Sequence, residues 1–441
     1  MLKKILSNPL LIQSLWSLIA RFTGVALNFA VILIITNTLP KASAGDILLL
    51  MTFITGVALI SRLGIDQLLM KEIASSHKSD FAFQSNFLKS SYKAVLILSS
   101  IFIAIWLVSS PFIQSNWFTS QGQATVSINL LMLASLGILF FNFVILNSTY
   151  LKAIRKTVIG ILGQNALTAI TLLLLITIFW KAFSNNQYTL TLYIASLVLA
   201  GALAIVITYK FSSKPEQTNT KIETSRAVPN LKEIFKKSLP LAPISIISFL
   251  MIFTDTLMVG WFLPNEQVAE YSVASKISYI ILFFLQAMEA VIYPRLLNMY
   301  QHDQSRLRSF FWQSTSLVVG VVLCITLVMY LLSDWILIAF GNEYMIVKQA
   351  LGVLLLAQLF RAASITFSFM FIIREKIKYL NMILVTAFTC NVIFNLIFIK
   401  TYGIEGAAVA TLIANGVLLT LIVALFTSKN LLQNLSEEAK S

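Results

Sequence analysis

A chain of 441 residues with 58% apolar and only 11% charged residues carries too few polar groups to coat a water-soluble domain of that size. Its formal net charge of +14 would point to nucleic acid in a soluble protein, but the positive residues fall in alternate loops and so report membrane orientation instead. Composition therefore excludes a soluble domain and a nucleic-acid partner, and makes the bilayer part of the solvent.

Apolar runs long enough for the ~30 Å hydrocarbon core, about 20 helical residues each, recur along the whole sequence. They predict transmembrane helices over 12–36, 46–70, 92–110, 126–150, 157–180, 188–210, 239–263, 268–293, 309–332, 349–373, 379–399 and 404–427. The first run is too long for a signal peptide and no small-residue cleavage site follows it, so it reads as the first span. Of the 32 Lys and Arg residues, 24 lie on one side of these spans. They are Lys3 and Lys4, the loop from Lys71 to Lys93, the loop from Lys152 to Lys156, the stretch from Lys210 to Lys237, the loops Arg295 to Arg308 and Arg374 to Lys378, and the tail with Lys429 and Lys440. The alternate loops hold only Lys41, Lys181, Lys348 and Lys400, which places both termini in the cytoplasm. Cys324 and Cys390 fall within apolar helices, so no disulfide framework is expected.

From Phe211 to Asn230 the apolar runs give way to Ser, Thr, Lys, Glu and Pro, which marks a linker between two halves. The predicted organisation is an N-terminal six-helix bundle over 1–210, a cytoplasmic linker over 211–238, a C-terminal six-helix bundle over 239–428 and a cytoplasmic tail over 429–441. A faint repeat at an offset of 224 residues pairs Leu39, Pro40 and Asp46 with Leu263, Pro264 and Glu270, and Lys71 with Arg295. Halves with an even number of spans share one orientation. The expected fold is all-α integral membrane, with twelve transmembrane helices in two six-helix bundles around a central cleft. Leu231 to Ser238 reads either as a basic amphipathic helix on the anionic leaflet or as the solvated end of the linker.

Charges inside the predicted spans select the functional candidates, because an ionisable group at helix centre costs roughly 2.5–3.5 kcal/mol on insertion scales and is retained facing protein or a water-filled cavity. Arg21 shares a polar stripe with Ser14, Ser17, Gly24 and Asn28, and Arg62 stands one turn from Asp66. The seventh span offers Ser245, Ser248 and Asp255, the eighth Ser272, Lys276, Tyr279 and Gln286, and the tenth Gln358, Arg361 and Ser368. Four cations, Arg21, Arg62, Lys276 and Arg361, against three acids, Asp66, Asp255 and Glu289, make a slightly positive interior suited to a phosphate or pyrophosphate. The cations are the candidate substrate-binding residues and the acids the candidate ion-coupling residues, the coupling ion being H+ or Na+. The competing structural assignment pairs Arg62 with Asp66 and Asp255 with Lys276. Asn391 and Asn395, one turn apart, suit helix–helix bonding, and the stripe Gln164, Thr168 and Thr171 fits either role. No enzyme is expected: His77 and His302 lie in separate loops, and there is no phosphate-binding loop, zinc-ligand spacing or nucleophile elbow. No cofactor is implied.

The run from Gly45 through Arg62, Leu63, Gly64, Ile65 and Asp66 to Lys71, Glu72, Ile73 and Ala74 resembles the second-helix signature of polysaccharide flippases. Leu239-Pro240-Leu241-Ala242-Pro243 leading to Asp255, then Val268-Ala269-Glu270-Tyr271 and Lys276, is similar to the opening of that family's second half. Phe340 to Tyr344 and Tyr402 to Ala408 resemble two of its later connections. The resemblance implies a bacterial inner-membrane flippase of the multidrug, oligosaccharidyl-lipid and polysaccharide exporter superfamily. Its expected substrate is an undecaprenyl-pyrophosphate-linked oligosaccharide of the O-antigen or capsule type, moved between leaflets by alternating access. Membrane lipids and a polysaccharide polymerase are the implied partners. Related flippases hold the pyrophosphate with arginines on the first, second and eighth helices, where Arg21, Arg62 and Lys276 stand here; Lys276 supplies charge without the bidentate fork. A cationic-drug exporter of the same fold, a peptidoglycan-precursor flippase and a membrane polymerase are the rival readings. The first calls for an acidic interior, the second usually carries two more helices and the third needs a large external loop.

Overall fold

The computed structural model describes residues 9–76, 80–120, 123–181, 183, 185–212 and 229–428, and the side chains of all of these except 9–15, 244, 245, 248 and 290. Lys3, Lys4, His77, Lys78, the middle of the predicted linker, and Lys429 and Lys440 of the tail lie outside the described residues, as do the side chains of Ser14, Ser245 and Ser248. Among the described residues, nine helical segments are long and apolar enough to cross a bilayer, or ten if one bent pair is counted as a single span. The chain is a multi-pass, all-helical membrane protein. It divides into two compact units, Met1–Phe249 and Leu250–Ser441.

The first unit contains α1 (Pro9–Thr38), α2 (Lys41–Arg62), α3 (Ile65–Ala74), α4 (Phe81–Trp117), α5 (Ile128–Ala153), α6 (Thr157–Asn165), α7 (Leu167–Ile178), α8 (Asn186–Phe211) and α9 (Leu231–Ser238). A two-residue antiparallel ribbon, Thr119 opposite Ala124 and Ser120 opposite Gln123, joins α4 to α5. The second predicted span, 46–70, is interrupted: Leu63 (φ 42°) and Gly64 (φ 75°) take left-handed conformations and part α2 from α3. Glycine is required there on two counts, since a Cβ at Gly64 would also stand 2.8 Å from the Ser238 carbonyl oxygen. The third span, predicted over 92–110, is a 37-residue helix of about 55 Å. Its polar first turns continue the helix beyond the apolar run and are capped by Asp80, which accepts from the Phe83 N–H at 3.1 Å. The fifth span also departs from prediction, bending by 50° between α6 and α7.

Helix α9 buries Ile234 against α3 and α4, with Leu231 and Phe235 packed on the same cluster of Leu68, Leu69, Ile73, Phe83 and Phe87. Asn230 caps it, accepting from the Glu233 N–H at 2.9 Å, and Lys237 reaches Glu72 at 3.6 Å. The stretch forms the basic amphipathic helix that is one of the two expected alternatives, but its apolar face packs on α3 and α4.

A 3-10 turn (Leu239–Leu241) leads into α10 (Ala242–Phe262), which the unit boundary crosses. The second unit continues with α11 (Asn265–Ser278), α12 (Ile280–His302), α13 (Gln304–Leu331), α14 (Ser333–Phe340), a 3-10 turn (Asn342–Val347), α15 (Lys348–Ile373) and α16 (Ile377–Ser428). At 52 residues, roughly 78 Å if straight, α16 is too long for one span. Gly403 breaks its helical geometry (φ 59°, ψ −135°), and a Cβ at Gly406 would collide with the Phe398 carbonyl, so the segments 377–402 and 404–428 turn back on each other. The internal repeat has a local counterpart: Pro40 (φ −54°, ψ 146°) and Pro264 (φ −58°, ψ 155°) precede α2 and α11 in the same extended conformation. In the first unit α5 packs against α2, α3, α4, α6 and α8, and in the second α15 packs against α11, α12, α13 and α16. These two helices hold the core of their units.

Candidate functional site

In the second unit, Asp255 of α10 is buried, with 1% of its surface exposed. Its Oδ1 accepts from Asn391 Nδ2 at 2.9 Å and Asn395 Nδ2 at 2.6 Å. Its Oδ2 accepts from Tyr271 Oη at 3.0 Å and from Thr411 Oγ1. One carboxylate thus ties α10, α11 and both segments of α16 together through four neutral donors. The predicted pairing of Asp255 with Lys276 is incorrect. Lys276 follows Tyr271 by five residues, which turns it about 140° around α11, away from the face that meets Asp255.

Lys276 instead lies one turn from Tyr279, whose hydroxyl donates to the Ile252 carbonyl at 2.7 Å, and Arg361 on α15 is within electrostatic reach of Tyr279. Arg361 is the fourteenth of 26 residues in α15, close to the middle of that helix. Among the described residues, neither Lys276 nor Arg361 makes a hydrogen bond or an ion pair, and both are partly exposed. Glu289 on α12 is exposed and belongs to neither group. The second unit therefore separates its charges: a carboxylate enclosed by neutral donors and two cations without an acid.

The first unit arranges its charges differently. Arg62 ends α2 with 5% of its surface exposed, and its Nη1 donates to Asn142 Oδ1 at 2.7 Å. Asn142 Nδ2 donates in turn to Ser61 Oγ (2.8 Å) and Ser99 Oγ (2.9 Å). Across the Leu63–Gly64 turn, Arg62 Nε stands 3.6 Å from Asp66 Oδ2 in the first turn of α3, where a carboxylate also meets the favourable end of the helix dipole. The structural pairing expected for Arg62 and Asp66 is present. Arg21 lies on α1 one turn below Gly24, and a Cβ at Gly24 would stand 2.5 Å from the Asn165 Cβ. Asn28, one turn further, donates to the Asn165 carbonyl at 2.6 Å, so the polar stripe of α1 packs on the bend between α6 and α7.

Four participants were not selected from sequence. Asn142 is a single amide within an apolar run, and Thr411 gives no sequence signal at all. Tyr271 stood inside a family-like motif, and the hydrogen bonds of Asp46 with Thr125 Oγ1 (2.9 Å) and Asn186 Nδ2 (2.8 Å) are legible only in three dimensions.

Residues 10–300 match the family model described as polysaccharide biosynthesis protein, and residues 240–397 match the MatE model. The chain belongs to the polysaccharide biosynthesis protein family. This family member is a membrane transporter of the multidrug, oligosaccharidyl-lipid and polysaccharide exporter superfamily. It is 25% identical over 419 residues to the uncharacterized membrane protein MJ1068 of Methanocaldococcus jannaschii, covering 90% of this chain and 80% of that one. It is 27% identical over 203 residues to the probable low-salt glycan biosynthesis flippase Agl15 of Haloferax volcanii, covering 44% of this chain and 42% of that relative, so the match spans less than half of either. Its fold is that of an inward-facing multidrug resistance MATE family transporter (TM-score 0.71, 16% identity, covering 95% of this chain and 99% of the other). The lipid II flippase MurJ in an inward closed conformation shares it as well (TM-score 0.67, 14% identity, covering 96% and 90%).

Proposed function

We propose that this family member translocates a lipid-linked oligosaccharide whose head group carries a pyrophosphate, of the undecaprenyl-linked O-antigen or capsule type, from the cytoplasmic to the outer leaflet. Twelve spans with both termini in the cytoplasm complete the reading: the ten counted helical spans, the shorter apolar helix within α10, and α16 taken as two. The observation that carries it is the uncompensated charge of Lys276 and Arg361 within two candidate membrane spans of the second unit, Asn265–His302 and Asn342–Ile373. Two cations held in a low-dielectric setting without an acid favour an anion, and a pyrophosphate can engage both while its polyprenyl chain stays in lipid.

Asp255 serves the coupling ion. Its cage offers a single negative charge together with the oxygens of Tyr271, Thr411 and the two amides, and Asn395 Oδ1 is buried without a hydrogen-bond partner among the described residues. Rotation of the amides toward the carboxylate would give Na+ an all-oxygen shell, and a proton would satisfy the same carboxylate. Cation uptake cancels the charge of Asp255 and leaves Lys276 and Arg361 freer to hold the anion, which links the two sites thermodynamically.

Leaflet-resolved detection of the lipid-linked repeat unit tests the function. In cells lacking the protein, the repeat unit accumulates in the cytoplasmic leaflet; wild type reverses this and Arg361→Ala does not. Normal externalisation in the absence of both this protein and any redundant flippase refutes the proposal. The MatE match over 240–397 favours drug export as the second reading, and a drug-susceptibility panel on the same deletion strain separates the two.

A further inference from the structure

One cationic group in the first unit has no part in the scheme above. Lys152, expected in a loop, belongs to the last turn of α5, and its Nζ donates to Gln164 Oε1 of α6 at 2.5 Å. The packing of α6 makes room for it: a Cβ at Gly160 would lie 2.6 Å from Lys152 Cγ, and one at Gly163 would lie 2.7 Å from Ser148 Oγ, so the two glycines let α6 settle directly on the Ser148–Lys152 turn. Gln164 is the penultimate residue of α6, immediately before the 50° bend that Asn28 of α1 clasps through the Asn165 carbonyl. Bent or broken spans place polar groups where a membrane protein handles a polar ligand. Arg21 and Asp66 both act electrostatically on Lys152. Asp66 is already engaged by Arg62, so Arg21, Arg62, Lys152 and Asp66 together carry a net charge of +2.

We propose that the α5–α6 junction, with Lys152 as its reading residue, Gln164 as the place-holder of its ammonium and Arg21 beside it, is a receiving subsite for a phosphate-bearing lipid head group. The inference rests on the flippase reading and adds to it a contact in the first unit, at the end of α5. A lysine ammonium has three donors, and Gln164 takes one. The acceptor it offers is neutral, whereas a phosphate oxygen makes a charge-assisted bond roughly twice as strong, so an arriving phosphate displaces the amide without leaving the ammonium unsolvated at any stage. Lys152 also stands beside Arg155 and Lys156 at the end of the unit that the basic loops mark as cytoplasmic, where a substrate assembled in the cytoplasm arrives.

The test uses the full-length chain in lipid nanodiscs and geranylgeranyl pyrophosphate as the probe, with geranylgeraniol as the uncharged control. Lys152→Met keeps the aliphatic stem under Gly160 and removes the charge; it is expected to weaken pyrophosphate binding about tenfold and to flatten its salt dependence, while leaving the alcohol unaffected. Lys152→Arg restores binding to within about threefold. Gln164→Leu frees the ammonium and binds the probe more tightly than wild type, an outcome that a merely structural Lys152–Gln164 bond would not give. If Lys152→Met does not fold, the Lys152→Arg and Gln164→Leu results still decide. Wild-type affinity in Lys152→Met, together with loss of binding in Arg361→Ala and Lys276→Met, overturns the subsite and leaves the flippase reading standing. Failure of wild type to prefer the pyrophosphate over the alcohol overturns both.

Discussion

Substitutions at Asp255 separate two roles of its carboxylate, the observed one as the acceptor that joins four helical segments and the proposed one as the charge that takes a coupling ion. In Asp255→Leu, all four donors lose their acceptor. Thr411 Oγ1 still reaches the Ala407 carbonyl (3.2 Å) and Asn395 Nδ2 still reaches Asn391 Oδ1 (3.1 Å). Tyr271 Oη still has Thr411 as a hydrogen-bond partner, whereas Asn391 Nδ2 keeps no other hydrogen bond among the described residues. One buried donor without an acceptor costs roughly 1–3 kcal/mol. Asp255→Asn avoids this cost, since its Oδ1 meets the two amides and its Nδ2 donates to the hydroxyl oxygens of Tyr271 and Thr411. The asparagine is permanently neutral, like the cation-loaded carboxylate. Thermal unfolding in nanodiscs, followed by tryptophan fluorescence, is expected to place Asp255→Asn near wild type and Asp255→Leu below it. Titration with geranylgeranyl pyrophosphate should tighten with added Na+ or lowered pH in wild type and be tight and ion-independent in Asp255→Asn. Equal stability of the Leu and Asn variants refutes the cage, and wild-type ion dependence in Asp255→Asn refutes the coupling.

Removing the amide that fixes Arg62 should be felt as instability: Asn142→Leu leaves a buried guanidinium without its 2.7 Å acceptor and is expected to lower unfolding stability by roughly 1–3 kcal/mol, with no preferential loss of pyrophosphate affinity in the protein that folds. Gly64→Val sets a branched residue at φ 75° and drives its Cβ into the Ser238 carbonyl, so size-exclusion of solubilised membranes should show little monodisperse protein. Gly24→Leu forces α1 off the Asn165 bend and is expected to lower both the yield and the melting temperature, whereas Thr23→Leu on an exposed face should change neither.

Hydropathy located apolar runs that lie within helical segments because it reports the transfer of side chains into lipid, a property of composition alone. It did not place the ends or the breaks, which are decided by backbone conformation and by partners. The Leu63–Gly64 turn interrupts a run that stays apolar, and α5 runs through Lys152 to Ala153 although a lysine near a span end reads as loop. Charges inside the membrane were equally visible, but their partners were not. Arg62 and Asp66 are close in sequence and were paired correctly, since i,i+4 proximity survives a single left-handed turn between two helices. Asp255 finds its partners 16 to 156 residues away, among neutral side chains that a charge-matching argument never considers.

That failure carries a functional lesson. Had Asp255 paired with Lys276, the second unit would hold one compensated ion pair and a single spare cation, an arrangement explained by helix cohesion. Neutral donors in place of the lysine change the chemistry at both ends. The carboxylate is held without being neutralised, which leaves it open to the proposed mobile cation, and Lys276 is left without an acid, as the proposed anion site requires. In the first unit the guanidinium of Arg62 is neutralised by Asp66 and fixed by Asn142, which suits a joint between α2 and α5 better than a ligand contact. On the proposed function, the distinction between structural and functional charge in this protein therefore lies in whether the partner of each buried ion is itself charged.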